Sequence, residues 1–83
     1  MPLYMDIHKN IDGLTTDAVI GAHQRDLEVQ EKHEVKYLKY WYNEEMGAVF
    51  CLVEAPSKDV AEAVHREAHG LTADEIIEVQ EGI

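Results

Sequence analysis

The chain has 83 residues, enough for one small domain over residues 1–83 with a thin hydrophobic core. Its formal net charge of -10 repels the phosphates of nucleic acids and anionic lipids. We therefore expect neither nucleic acid nor a membrane as a partner. One cysteine forms no internal disulfide, and no apolar run near Met1 has the length of a signal peptide or membrane span. We therefore expect a reduced, cytoplasmic protein.

Hydrophobic periodicity and turn residues predict four strands and two helices. In chain order, these are a strand at 3–8, a turn at 10–13, a helix from 16 to about 32, a strand at 35–43, a hairpin turn at 44–47, a strand at 48–54, a helix at 57–69 and a strand at 76–80. Thr15 or Thr16 caps the first helix, Ser57 caps the second, and Gly70 ends it. Residues 72–75 also match a short capping box. The order β-α-β-β-α-β predicts a ferredoxin-like α+β fold, an antiparallel sheet with both helices on one face.

The second and third predicted strands are apolar on both faces. Strict alternation places Tyr37 and Trp41 on one face of the second strand, and Tyr40 and Tyr42 on the other. Two helices cover only one face, and soluble monomers avoid a large exposed apolar patch. We therefore expect a homodimer that buries the free sheet faces. The alternative is a monomer whose long side chains fold over that face.

The sharpest local motif is HREAH at residues 65–69. His65 and His69 lie four positions apart near the end of the second predicted helix, so their rings share one helix face. Two neutral imidazoles in this arrangement chelate transition metals, and Glu62 lies beside them. The negative end of the helix dipole favours a cation there, whereas Arg66 repels one. The alternative is an ordinary pair of surface histidines. A zinc peptidase is excluded, since Arg66 stands where that motif needs glutamate.

His23 falls inside the predicted apolar stripe of the first helix, which also holds Val19, Ile20 and Leu27. We therefore expect His23 to face the sheet. A buried histidine needs partners for its ring nitrogens, and Asp26 lies close enough along the helix to help supply them. Both a hydrogen-bonded core histidine and a metal ligand fit this position.

Asp6 and His8 share the face of the first strand opposite Leu3. If the helices cover the Leu3 face, Asp6 and His8 line the free side and form a candidate ligand site in the dimer. The alternative is a solvated rim position. Cys51 lies in mid-strand between strong hydrophobes, which favours a small core residue over a thiolate ligand. His33 lies in a charged helix end and suggests no specific role.

A family resemblance rests on three stretches, FCLVEAPSKDVAEAVHREAHG, AHQRDLEVQ and MPLYMDIH. Together they resemble the small single-domain bacterial nickel-binding proteins of otherwise unknown function. The resemblance covers nearly the whole chain, and HREAHG is its most specific part. It implies a ferredoxin-like homodimer that binds nickel ions near its surface, with no established catalysis.

Three functions follow as hypotheses. The first is a cytoplasmic dimer that sequesters or buffers nickel, with zinc or copper as alternative metals. Its candidate metal ligands are His65, His69, Glu62, His8 and His23. The second is a dimeric α+β barrel enzyme or small-molecule binder, which a closed apolar pocket of several hundred Å³ would favour. The polar groups of that pocket are Asp6, His8, His23 and Tyr40. The third is an interaction module in which the histidines are incidental.

Overall fold

The computed structural model describes residues 1–82, and its elements follow the predicted order. They are β1 (Leu3–His8), α1 (Thr16–Val29), β2 (Lys36–Asn43), β3 (Ala48–Glu54), α2 (Lys58–Ala68) and β4 (Glu75–Val79). A 3-10 turn over Gln30–His33 follows α1, so the α-helix itself ends earlier than predicted. Among the described residues, no helix has the length and apolar character needed to cross a membrane.

The four strands form one antiparallel sheet in the order β2-β3-β1-β4. The two helices pack on one side of it, which confirms the predicted ferredoxin-like α+β fold. Because β1 is central, its side chains on the helix side lie beneath both helices. Any polar residue of β1 on that side must find its partners inside the protein.

Local capping fixes the helix ends as predicted. The side chains of Thr15 and Ser57 accept the backbone N–H three residues on, at 3.1 and 3.3 Å. Gly70 adopts a φ of 78° after α2, and its N–H donates to the carbonyl of His65 at 2.9 Å. Residues 72–75 form no helix and lead into β4.

An irregularity in β2 changes which aromatic residues share a face. The pairing register with β3 shifts between Tyr37 and Lys39. One extra residue reverses the alternation of side chains beyond it. Tyr37 therefore lies on the helix side together with Tyr40, while Trp41 lies on the free side opposite Phe50. The prediction that Tyr37 and Trp41 share a face is wrong.

The helices cover the face of β1 that carries Tyr4, Asp6 and His8, which are 6%, 0% and 5% exposed. The Leu3 face is therefore the free one. Because the helices do not cover the Leu3 face, Asp6 and His8 do not line the free side of the sheet. The physical reason is that Asp6 finds its polar partners beneath the helices, where His65 of α2 meets it.

The buried stripe of α1 is rotated relative to the prediction. Val19 is 4% exposed as expected, but Ile20 and Leu27 are 40% and 42% exposed. Asp26 takes the inward position and is only 2% exposed. A carboxylate tolerates such burial only when it is paired, and Asp26 contacts two histidines of the α2 segment.

The free face of the sheet remains apolar. Trp41, Phe50 and Ile77 are 49%, 36% and 47% exposed there. Met5 and Leu52 lie between them on the same face, since Met5 of β1 pairs with Leu52 of β3 and with Ile77 of β4. This face has no cover within the described part of the chain.

Candidate metal centre

His65 lies at the centre of a buried polar cluster between α2, α1 and β1. It is 1% exposed, so it is a core residue, and the alternative of an ordinary surface histidine does not hold for it. Its Nδ1 hydrogen bonds to Asp26 Oδ1 at 2.9 Å. Its Nε2 lies 2.7 Å from Asp6 Oδ2 but has no aligned hydrogen-bond partner in residues 1–82. The imidazole is thus held between two carboxylates, and only one of its nitrogens is satisfied.

The two carboxylates set the protonation state of this ring. Burial disfavours the imidazolium, but the contacts with Asp26 and Asp6 outweigh it and raise the pKa of His65 to about 11. Burial also opposes ionisation of Asp26, yet its hydrogen bonds with His65 and His69 hold the pKa of Asp26 below its usual value. At neutral pH the cluster therefore contains an imidazolium, and a cation that uses Nε2 must displace its proton.

Asp6 has a further partner and a vacant oxygen. The hydroxyl of Tyr37 lies 3.1 Å from Asp6 Oδ2 and 3.1 Å from the carbonyl of Ala61, and its single proton serves one acceptor at a time. Burial and then the charge of Asp6 raise the pKa of Tyr37, so the phenol keeps its proton. Asp6 Oδ1 is buried with no hydrogen-bond partner among the described residues. A carboxylate oxygen in that position is stabilised by a cation.

Four side chains converge at this point and are called here the buried ligand group: Asp6, His8, Cys51 and His65. Their ligand atoms all lie within 4.8 Å of one another. Asp6 and Cys51 are directly paired across β1 and β3, and His8 follows on the same face of β1. With metal–ligand bonds of about 2.0–2.3 Å, opposite ligands lie about 4–4.6 Å apart, so the group has nearly the size of one coordination sphere. Imidazole, carboxylate and thiolate together suit a transition metal such as nickel, zinc or copper.

The other two members of the group differ in protonation. Burial, reinforced by the charge of His65, lowers the pKa of His8, so this imidazole is neutral and has a free lone pair. Burial raises the pKa of the Cys51 thiol to about 11. Cys51, which the sequence indicated as a core residue, is therefore both buried and a thiol at neutral pH. It must lose its proton to act as a ligand.

His69 supports the cluster from the side. Its Nε2 lies 3.1 Å from Asp26 Oδ1, and its Nδ1 accepts the backbone N–H of Leu71 at 3.1 Å. Because Nδ1 accepts, the ring proton is on Nε2 and faces Asp26. The rings of His65 and His69 are close, with centroids 4.9 Å apart, as the spacing predicted. Asp26, His65 and His69 form a second possible ligand group, but in it both ring nitrogens of His69 are occupied.

Glu62 lies outside both groups. Its carboxylate is 3.9 Å from Arg66 on the outer face of α2. The helix turns His65 inward, which separates it from Glu62. His33 lies elsewhere, 3.5 Å from Glu67.

His23 lies next to the cluster without joining a ligand group. Its ring packs on Tyr40 with centroids 4.5 Å apart, so it faces the sheet as predicted. Burial lowers its pKa. It contributes to the wall of a cavity between α1, the sheet and the 11–14 segment, about 140 Å³ in volume and open on one side. His8 and Tyr40 also line this cavity, but Asp6 does not, and the volume falls short of several hundred Å³.

Two members of the cluster were missed as such from the sequence. The sequence indicated Asp26 only as a partner of His23, and for Cys51 it favoured a core residue over a thiolate ligand. A signal for Asp26 was present, since it stands seven residues after Val19 and therefore on the same helix face. For Cys51 the signal was the antiparallel register, which the sequence does not specify.

Comparisons with known proteins find a matching family and a similar solved structure. A family described as "Nickel responsive protein SCO4226-like" matches residues 4–79. Among solved structures, the chain is similar to the protein of "Crystal structure analysis of SCO4226 from Streptomyces coelicolor A3(2)", with a TM-score of 0.90. The two are 37% identical, over 98% of this chain and 99% of that chain. No curated protein matches.

Proposed function

We propose that this chain, which belongs to the family of SCO4226-like nickel-responsive proteins, binds nickel at the buried ligand group and sequesters or buffers the ion. The family resemblance seen in the sequence is confirmed. One observation supports this site above the others: Asp6 Oδ1 is buried without a hydrogen-bond partner among the described residues, and Asp6 belongs to the buried ligand group. His65 Nε2, in the same group, has no aligned hydrogen bond in the described chain, although it lies 2.7 Å from Asp6 Oδ2.

Each residue has a distinct role in this proposal. Asp6 and the deprotonated Cys51 supply two negative charges, which neutralise a divalent ion. His8 and His65 supply neutral nitrogens. Asp26 accepts the Nδ1–H of His65 and thereby directs Nε2 towards the other ligands, as carboxylate partners of metal-bound histidines do.

Titration calorimetry with nickel, zinc and copper tests the site. We expect His8→Gln and Cys51→Ser to lower nickel affinity at least about tenfold, since even supporting residues of metal sites have effects of that size. His33→Gln is the matched control, because it removes an imidazole outside the cluster. A thiolate-to-nickel charge-transfer band that disappears in Cys51→Ser identifies the sulfur ligand. Equal affinity of wild type, His8→Gln and Cys51→Ser would exclude this ligand set.

We also propose that the protein acts as a cytoplasmic homodimer. The dimer is supported by the uncovered apolar face, where Trp41, Phe50 and Ile77 are exposed. The reduced thiol of Cys51 that the site requires is stable in the cytoplasm.

Light scattering after size exclusion tests the dimer. A charge at the centre of the free face, as in Phe50→Lys, should produce monomers, because an unpaired buried charge is costly at an interface. Met46→Lys is the control, since Met46 is 70% exposed in the hairpin turn and outside that face. A Phe50→Lys protein that remains dimeric would place the interface elsewhere.

A further inference from the structure

A cavity lined by three members of the buried ligand group, His8, Cys51 and His65, has the dimensions of a ligand site for one small ring. Its volume of about 140 Å³ is close to the roughly 150 Å³ of an engineered apolar protein cavity that binds benzene. Aliphatic side chains form one part of its wall, among them Val19 and Ala22 of α1 and Val49 of β3. Drug-sized molecules need about 300 Å³ or more, so the space itself accommodates a single five- or six-membered ring.

The inner end of this cavity is polar. His8 is 5% exposed and lines it, and neither of its ring nitrogens hydrogen bonds to another side chain in residues 1–82. Asp26 is 2% exposed and also lines it. Both contacts of Asp26 with histidines use Oδ1, which leaves Oδ2 without a hydrogen bond in the described chain. His8 and Asp26 therefore place polar atoms without a side-chain hydrogen bond in the lining of the same apolar space, where a ligand can reach them.

An aromatic pair completes the wall. The rings of His23 and Tyr40 pack with centroids 4.5 Å apart, and both line the cavity. Aromatic rings attract a further ring in tilted or offset packing. One aromatic pair in the wall, a volume of about one ring and polar atoms of His8 and Asp26 in the lining are together consistent with a small ring ligand.

We propose that this cavity binds a small planar ring molecule that carries one hydrogen-bond donor, with the donor directed at Asp26 Oδ2, His8 beside it, and the ring between Val19, Ala22 and Val49. Phenols and azoles are the chemical class. The cavity shares His8 with the proposed nickel ligands, but its test uses metal-free protein, so a failure to bind phenol is distinguishable from a failure to bind nickel.

Phenol is the probe, added to chelator-treated protein labelled with ¹⁵N and followed by amide chemical shifts. We expect saturable shifts centred on Val19, Ala22 and Val49. Fluorobenzene has nearly the same size but no donor, so we expect it to bind about tenfold more weakly, the value of one buried hydrogen bond. Shifts that rise linearly without saturation, or that centre on the free face around Trp41, would overturn the proposal. Equal affinity for both probes would do the same.

A cavity-filling variant provides the matched comparison. Ala22→Leu places an isobutyl group in the ring's space and should lower phenol affinity at least about tenfold, a loss of about 1.4 kcal/mol. Ala63→Leu makes the same change on α2 away from the cavity and should bind phenol like wild type. Both are checked for a cooperative thermal transition. If Ala22→Leu fails to fold, contacts between phenol protons and the Val19 and Val49 methyl groups of wild type decide the question, and their absence refutes the site.

Discussion

Nickel binding at the buried ligand group should release two protons per ion at neutral pH. His65 and Cys51 both have a pKa of about 11, so each carries a proton at pH 7. A metal ligand must be deprotonated, and His8 already is. The apparent association constant should therefore rise about a hundredfold per pH unit between pH 7 and 9, where each displaced proton contributes a factor of ten.

The magnitude follows from the same values. A pH of 7 lies about four units below the pKa values of His65 and Cys51. Removing each proton at that pH therefore costs about 5–6 kcal/mol of nickel-binding free energy. A surface site made of Glu62, His65 and His69 with ordinary imidazole pKa values behaves differently. It loses affinity only below about pH 6, as histidines protonate, and is flat above pH 7. The pH profile therefore distinguishes the two ligand sets.

Calorimetry in two buffers with different protonation enthalpies directly counts the protons that are released when nickel binds. Wild type should release about two protons at pH 7.5, and Cys51→Ser about one, since only His65 then gives up a proton. His33→Gln should match wild type. Nickel binding without proton release above pH 7 would refute the assignment of His65 and Cys51 as ligands.

Three further predictions concern stability and the outer face of α2. In metal-free protein, the charged His65 stabilises the fold because its pKa is about 11 in the folded protein and about 6.5 in the unfolded chain. This stabilisation is complete below pH 6.5 and is lost as the pH rises through about 11. Tm should therefore fall between pH 7 and 10 more steeply in wild type than in His65→Gln. An equal decrease of Tm with pH in both proteins would show that His65 is not the group responsible for the pH dependence of stability. Gly47→Ala should lower the urea-derived free energy of unfolding by about 1–3 kcal/mol, because its φ is 64° and a Cβ would lie 2.6 Å from the carbonyl oxygen of Ile11. Gly82→Ala, with open space around it, should change nothing. Glu62→Gln should leave the calorimetric nickel affinity within about twofold, as expected for a partly exposed charge, and a larger loss would restore Glu62 as a ligand.

The fold was predictable because local signals and the global pattern agree. Alternation marks β1, and Thr15, Ser57 and Gly70 mark three helix ends. The element order then leaves few topologies. The orientation of individual faces was not predictable to the same degree. One extra residue between Tyr37 and Lys39 reverses the alternation of β2, and no residue type in that stretch marks it.

The site was predictable only in part, since its ligands come from distant segments. The spacing of His65 and His69 correctly placed two rings together. It did not reveal that His65 faces inward, because a histidine counts as polar in a pattern of hydrophobicity. What makes its burial favourable lies 39 residues away in Asp26 and 59 residues away in Asp6. Those partners become visible only once the helices are packed on the sheet.

Charge balance explains how one buried cluster can exist both with and without an ion. Without metal it holds the carboxylates of Asp6 and Asp26, the imidazolium of His65 and the neutral thiol of Cys51, a sum of about one negative charge. A divalent ion that displaces the two protons leaves this sum unchanged. Burying extra charge is among the costliest changes a protein interior can undergo, so an exchange without net charge avoids that cost. The protons of His65 and Cys51 thus keep the cluster stable without metal, and their displacement makes ion capture sensitive to pH.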